Sequence, residues 1–335
     1  MHVSRHLVCL LFALGIASVV SAQAVTATAA ASSTLTVTAL STTNTLPAGT
    51  DLTGGVTLSA SAFIPDPFLG SSFGNVSATF GVTTSGDTIT YTIDESGSTS
   101  GFLGAAAAGP HETLLSLTSA LPVTGLLTMV VTGSASFVAG GSTQIDVGNN
   151  GTVDYTTAGL SATWSQPLTV SGTVGVRTIT SMSIVPSTSR TLTVTFEPLI
   201  VGIPNSQCGP GASPAPGSYP TLSVSSSNGV PSPFSTLSIT MAPSAPLSLS
   251  LLVIGWSNIS LPLPGCGSGS CTLVPSLDDL TVAIGAPTRS IFLPPGFSGA
   301  EIYTQGVEFV PGVTGACNFS GLEFLLTSAT KVELQ

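Results

Sequence analysis

Charge is what this chain has least of. Among 335 residues only five are Lys or Arg and fifteen are Asp or Glu, 6% in all. A disordered chain needs low hydrophobicity with high charge, a coiled coil needs charged flanking positions, and a nucleic-acid binder needs basic patches. All three classes are excluded. Histidine is nearly as scarce: of three, only His111 lies beyond residue 24, which removes mechanisms built on two imidazoles. Aromatic residues make up 6% and tryptophan occurs twice. Present instead are 42% hydrophobic residues, 37 glycines and 24 prolines in a chain with room for roughly two domains of about 150 residues.

The N-terminus reads MHVSRHLVCLLFALGIASVVSAQA. A basic Arg5, an apolar run from Leu7 to Ala17 and small residues around Ala22 and Ala24 describe a signal peptide over residues 1–24. The expected location is secreted, extracellular or at the cell surface. The apolar run is shorter than the roughly 20 residues of a spanning helix, and the longest later one, Leu247 to Leu263, is broken by Ser248, Ser250, Asn258 and Pro262, so no membrane span is expected. Processing leaves Cys208, Cys266, Cys271 and Cys317, an even number in an exported chain, which favours disulfides and allows three pairings. A zinc site is disfavoured, because the spacing of Cys266 and Cys271 is not CxxC and no His lies nearby.

Strand signals recur. TLTVTAL from Thr34, DTITYTID from Asp87, GLLTMVVT from Gly125 and TLTVTF from Thr191 show the period-two alternation of half-buried strands. One segment, Gly109 to Ala120, has leucines at helical spacing and reads as helix or strand. Six prolines between Glu197 and Pro220 interrupt the pattern. The expected fold is all-β: two antiparallel β-sandwich-like domains, a Thr/Ser/Gly-rich domain at 25–200 and a disulfide-stapled sandwich at 221–335, joined by a Pro/Gly-rich segment at 201–220. Trp256, Phe292, Phe297, Tyr303, Phe309, Phe319 and Phe324 are the expected core or near-core groups of the second.

Three segments there, LLVIGWSNISLPLPGCGSGSCTLVPSLDDL, LPPGFSGAEIYTQGVEFVPG and SGLEFLLTSATKVEL, follow a pattern of a Leu-Pro loop into a Cys-Thr-Leu strand, a Tyr-x-Gln strand and a closing strand. Over residues 205–334 the chain resembles the C-terminal β-module of uncharacterised secreted proteins of planctomycete-type bacteria. The resemblance implies architecture and no activity. It also implies the pairs Cys208 with Cys271 and Cys266 with Cys317.

Candidate chemistry is thin. His111-Glu112 opens like a zinc helix, but Leu115 stands where the second His belongs, and there is no GxSxG elbow. His111, after Gly109-Pro110, reads as a solvated turn residue. Carboxylates for glycoside hydrolysis are available at Asp94-Glu95, Asp278-Asp279, Glu301 and Glu308, yet adjacent strand residues point to opposite faces. In IDVGNNGTVDY, Asp146, Asn150 and Asp154 occupy positions one, five and nine of a calcium loop, with Gly151 at six. Gly148 and Thr157 stand where further acids belong, so a plain Asn-Gly hairpin is the stronger reading and calcium a minor one. Three Thr-x-Thr-x-Thr runs begin at Thr34, Thr88 and Thr191, and without a fixed repeat period a single array is not expected. Tyr91, Tyr155 and Trp164 are the aromatic groups available for sugar stacking, with the core as their competing fate. The expected function is a secreted, non-catalytic binding or structural protein, its partner a carbohydrate or surface protein, without cofactor. The alternative is a polysaccharide hydrolase using paired carboxylates. Low surface charge also leaves few edge lysines to oppose self-association.

Overall fold

The structure, a computed structural model, describes residues 25–37, 42–64, 72–100, 106–135, 141–184, 187–203, 206, 219–245, 247–263, 272–310, 317–319 and 322–335. The signal-peptide segment, Cys208, Cys266 and Cys271 lie outside them. The described residues are all-β, every strand pair is antiparallel, and no helix long and apolar enough to cross a membrane occurs among them.

Ten strands build the first half: β1 (Thr26–Val37), β2 (Thr42–Asp51), β3 (Val56–Ile64), β4 (Ser72–Ser85), β5 (Thr88–Ser100), β6 (Ala106–Ala135), β7 (Gly141–Val147), β8 (Tyr155–Ala158), β9 (Ala162–Ile184) and β10 (Ser187–Ile203). The segment that admits a helix, Gly109 to Ala120, is strand: it lies within β6, where Thr113, Leu115 and Leu117 are buried and alternate with more open neighbours. Flanking strands on both sides supply the ladder that holds this Leu-containing stretch extended.

The length of β6 folds the half back on itself. Residues up to Ser119 pair with β1 and with the C-terminal part of β9, while those from Val123 pair with β10 and the N-terminal part of β9. The register breaks between Ser119 and Val123, where Pro122 has no N–H to donate, and opposite this break Gly172 adopts a positive φ. Two layers result, β3-β4-β5-β10 with the C-terminal end of β6 and the N-terminal part of β9, and β2-β1 with the N-terminal end of β6, the C-terminal part of β9, β7 and β8. Between them lies one hydrophobic core containing Phe80, Ile89, Tyr91, Ile93, Leu127, Met129 and Phe196. Each fully buried side chain of this size contributes on the order of 2 kcal/mol through the apolar surface it removes from water.

The second half contains β11 (Thr221–Ser226), β12 (Thr236–Ala242), β13 (Leu249–Gly255), β14 (Asn258–Pro262), β15 (Thr272–Pro275), β16 (Asp279–Ile284), β17 (Thr288–Phe292), β18 (Glu301–Phe309), β19 (Cys317–Phe319), β20 (Leu322–Leu326) and β21 (Ala329–Glu333). Strands β11-β12-β17 form a small sheet that packs Leu237 and Ile239 against Leu252, Ile254, Ile302 and Val332 of the large one. The halves have separate apolar clusters but share main chain, because Ile200–Ile203 of β10 pair with β21. The expected aromatic core is corrected: Tyr303 and Phe324 are buried, whereas Trp256, Phe292 and Phe297 are exposed. The main apolar cluster of this half is aliphatic, Phe324 and Tyr303 belong to two smaller buried clusters, and the other three rings are left at the rim.

Candidate functional site

Two places bring polar chemistry together, one sealed and one open. The sealed one begins with pairing: Ser33 of β1 lies opposite His111 of β6, which lies opposite Thr180 of β9, while Glu95 of β5 faces Arg190 of β10 in the other layer. Ser33 Oγ is 2.6 Å from His111 Nδ1, and His111 Nε2 is 3.0 Å from Glu95 Oε1. Arg190 donates to Glu95 Oε2 from Nε and Nη2, each at 2.6 Å, and also to Thr180 Oγ1. Phe80 meets the imidazole edge-on. His111 is therefore not a solvated turn residue. It is fully buried, and the charges of Glu95 and Arg190 compensate each other beside it.

Serine, histidine and glutamate are the residue types of a nucleophilic triad, but this set cannot act as one. The serine bonds Nδ1 rather than the far nitrogen, and Ser33, at 3% exposure, is the most accessible member. What the cluster does is join the two layers at one point of charge. Asp94, the neighbour of Glu95, points outward and accepts from Thr191 Oγ1 at 2.7 Å, so the two carboxylates do not converge. Glu112 is exposed and paired with Arg177 at 2.7 Å, and buried Glu308 accepts the N–H groups of Ser244 and Ala245.

The calcium-loop residues come together in the β7–β8 turn. Asp146 accepts from the N–H groups of Asn150 and Gly151, Asp154 from Val147 and Asn150 from Thr152, with Asn149, Gly148 and Gly151 at positive φ. Their side-chain oxygens are engaged by the hairpin's own backbone. Of the threonine runs, those from Thr88 and Thr191 are neighbours, with Thr90 opposite Thr195 and Thr92 opposite Thr193. A second row, Ser59, Ser77, Ser96, Ser189 and Ser134, crosses five strands. The run from Thr34 lies in β1, paired with β2 and β6 instead, so the three runs form no single array, as expected, while register rather than sequence period assembles the rows that do exist. Many of their hydroxyls bond one another, as Ser77 does Ser96 at 2.9 Å. Tyr91 belongs to the core, where burial pushes its phenol far above the ordinary range, and Tyr155 and Trp164 stack on each other with centroids 5.7 Å apart.

The open place lies where β13 ends. Gly255 there approaches Ser276 so closely that a Cβ would lie 2.3 Å from its carbonyl oxygen. The next residue, Trp256, turns outward, 51% exposed, and its ring leans on Phe297 with centroids 6.1 Å apart. The Trp256 backbone N–H donates to Asp278 Oδ2 at 2.8 Å, and Ser276 Oγ donates to the same oxygen at 2.5 Å. These bonds, that from Ser276 first, hold the Asp278 carboxyl below the usual aspartate value. Asp279 forms an ion pair with Arg289 at 2.9 Å, both half exposed. Trp256, Asp278, Asp279, Arg289, Phe292 and Ile254 line a groove of about 340 Å³.

An exposed ring beside fixed carboxylates and a guanidinium offers an apolar platform with hydrogen-bonding groups at its rim. From the sequence, Trp256 and Phe292 read as core and the aspartates as a poor catalytic pair. The missed signal is Gly255-Trp256-Ser257, a turn placed directly after an apolar strand. No protein-family model matches the chain, and no curated protein matches it.

Proposed function

We propose that the chain is a secreted, non-catalytic, carbohydrate-binding protein of the cell surface or extracellular matrix, and that the Trp256 groove binds neutral polysaccharide. The single observation that carries this reading is a half-exposed tryptophan braced by Phe297 above Asp278, Asp279 and Arg289. A pyranose presents C–H groups on its face and hydroxyls on its rim, which suits such a platform. The formal charge of −10 favours a neutral over an acidic polymer. Enclosure of Ser33, His111 and Glu95, and the lowered Asp278 carboxyl, support binding over hydrolysis, since a general acid needs a raised carboxyl.

The two halves act as two sandwich-like domains in this reading, with Cys208–Cys271, at the positions the planctomycete-type module uses, and the additional pair Cys266–Cys317 stapling the second. In its support, Cys317 is fully buried beside Phe324 and Leu326 and is not a free thiol. No cofactor is required.

Retention on insoluble cellulose and chitin tests the reading. The full chain is retained on at least one, and Trp256→Ala weakens retention at least tenfold without shifting the thermal midpoint. Retention unchanged by Trp256→Ala overturns the site, and release of soluble sugar replaces binding with hydrolysis.

A further inference from the structure

Among the described residues β16 is the last strand of the large sheet and bonds on one side only, to β13. Its residues alternate strictly. Asp279, Thr281 and Ala283 are half-buried on the side facing the small sheet, whereas Leu280, Val282 and Ile284 turn outward at 48, 60 and 74% exposure. Opposite them on the same face stand Val253, Leu251 and Leu249 of β13. Further in, Val307 and Phe309 of β18 pack on the satellite cluster of Cys317, Phe324 and Leu326. The outer face is thus apolar from a buried cluster out to a free edge. Natural edge strands are usually blunted by lysine, proline or inward charge. β16 has one inward charge, Asp279 at its first position, paired with Arg289, and none of its three outward side chains is charged.

We propose that β16 pairs with β16 of a second copy of this chain, antiparallel, about a two-fold axis through Val282. Directly opposed residues in an antiparallel pair share a face, so only registers that set outward residues against outward residues are allowed. Centring on Val282 places it against its own copy, Leu280 against Ile284 of the second copy and Thr281 against Ala283. The three outward side chains of each strand then form one continuous stripe, extended on both sides by β13. Shifting the axis to Thr281 sets Ile284 against Asp278, which places a carboxylate beside the apolar row.

Charge argues for the same register. In an acidic chain like copies repel, but the Val282 register sets each Asp279 against Gly285 of the other copy, beyond the stripe. The two Asp279 residues are then roughly 20 Å apart, at about 3.4 Å per residue. The patch is self-complementary, as a two-fold contact requires. Because Asp279 also borders the Trp256 groove, the pairing places the two grooves at opposite ends of the joined strands.

Analytical ultracentrifugation of the full secreted chain tests this pairing. Wild type sediments at twice the chain mass, and Val282→Lys weakens association at least tenfold while its circular dichroism and thermal midpoint match wild type. Val282→Cys gives a disulfide-linked dimer on a non-reducing gel and Thr281→Cys does not. Wild type that stays monomeric at high concentration overturns the proposal, as does association that survives Val282→Lys or crosslinks through Thr281→Cys. A monomer whose Leu280–Ile284 amides are strongly protected from exchange overturns it in favour of a segment of the same chain. Trp256→Ala leaves sedimentation unchanged, so failure of the carbohydrate reading and failure of this one are separable.

Discussion

Each basic residue beyond residue 24 has a carboxylate partner: Arg177 with Glu112, Arg190 with Glu95, Arg289 with Asp279, and Lys331 with Glu301 and Glu333. Only the Arg190 pair is buried, and there desolvation makes partner loss expensive. Arg190→Met, which leaves Glu95 uncompensated, is expected to lower stability by about 3–5 kcal/mol in urea unfolding. Adding Glu95→Met removes the uncompensated charge and restores part of that loss, the remainder being the buried His111 Nε2 left without its carboxylate, and a double-mutant cycle reads the coupling. Asp146 is a second test. Its carboxylate accepts two backbone N–H groups, each net hydrogen bond being worth about 1 kcal/mol, so Asp146→Ala costs about 2 kcal/mol. Melts with calcium and with EDTA coincide if the turn alone uses that carboxylate. For Asp278 the folded carboxyl lies below its ordinary 3.8, so its contribution is fully present above that pH and lost as pH falls through the lowered value. Polysaccharide retention therefore persists down to pH 3.8 and is lost only as pH falls through the lowered value, and Asp278→Asn removes this acid step.

At the scale of elements, β6 is the organising strand. Its thirty residues belong to both layers, so the register break near Pro122 decides which residues meet across the core. The alternation that marks these strands is local and was visible in Thr88 to Asp94, where Ile89, Tyr91 and Ile93 are buried as their spacing requires. Burial at position 95 or 111 follows from the same alternation, yet polarity alone argued for the surface. Elements also meet tightly at the end of β13. Gly255→Ala forces a Cβ against the Ser276 carbonyl, an overpacking expected to cost about 1–3 kcal/mol and to abolish polysaccharide retention by displacing Trp256. Gel filtration separates that local effect from general unfolding.

At the scale of the whole molecule, the first half reconciles a large apolar fraction with few ions by covering outer faces with serine and threonine, which favour strands and satisfy each other across them, whereas the second half leaves apolar side chains exposed. The halves are linked by more than the covalent chain: β10 hands its last residues to β21, whose Lys331 also lies 4.0 Å from Asp87 in the β4–β5 turn. What the sequence determined by itself is the class of structure, all-β with antiparallel pairing, because alternation and turn residues act over a few positions. Only the tertiary structure decided which polar groups are sealed and which aromatic ring is open. Ser33 meets His111 across 78 positions and Arg190 meets Glu95 across 95, and such partners are set by register between distant strands. Trp256 is exposed for a related reason: the close packing of Gly255 on Ser276, twenty-one residues away, turns the next side chain out of the core.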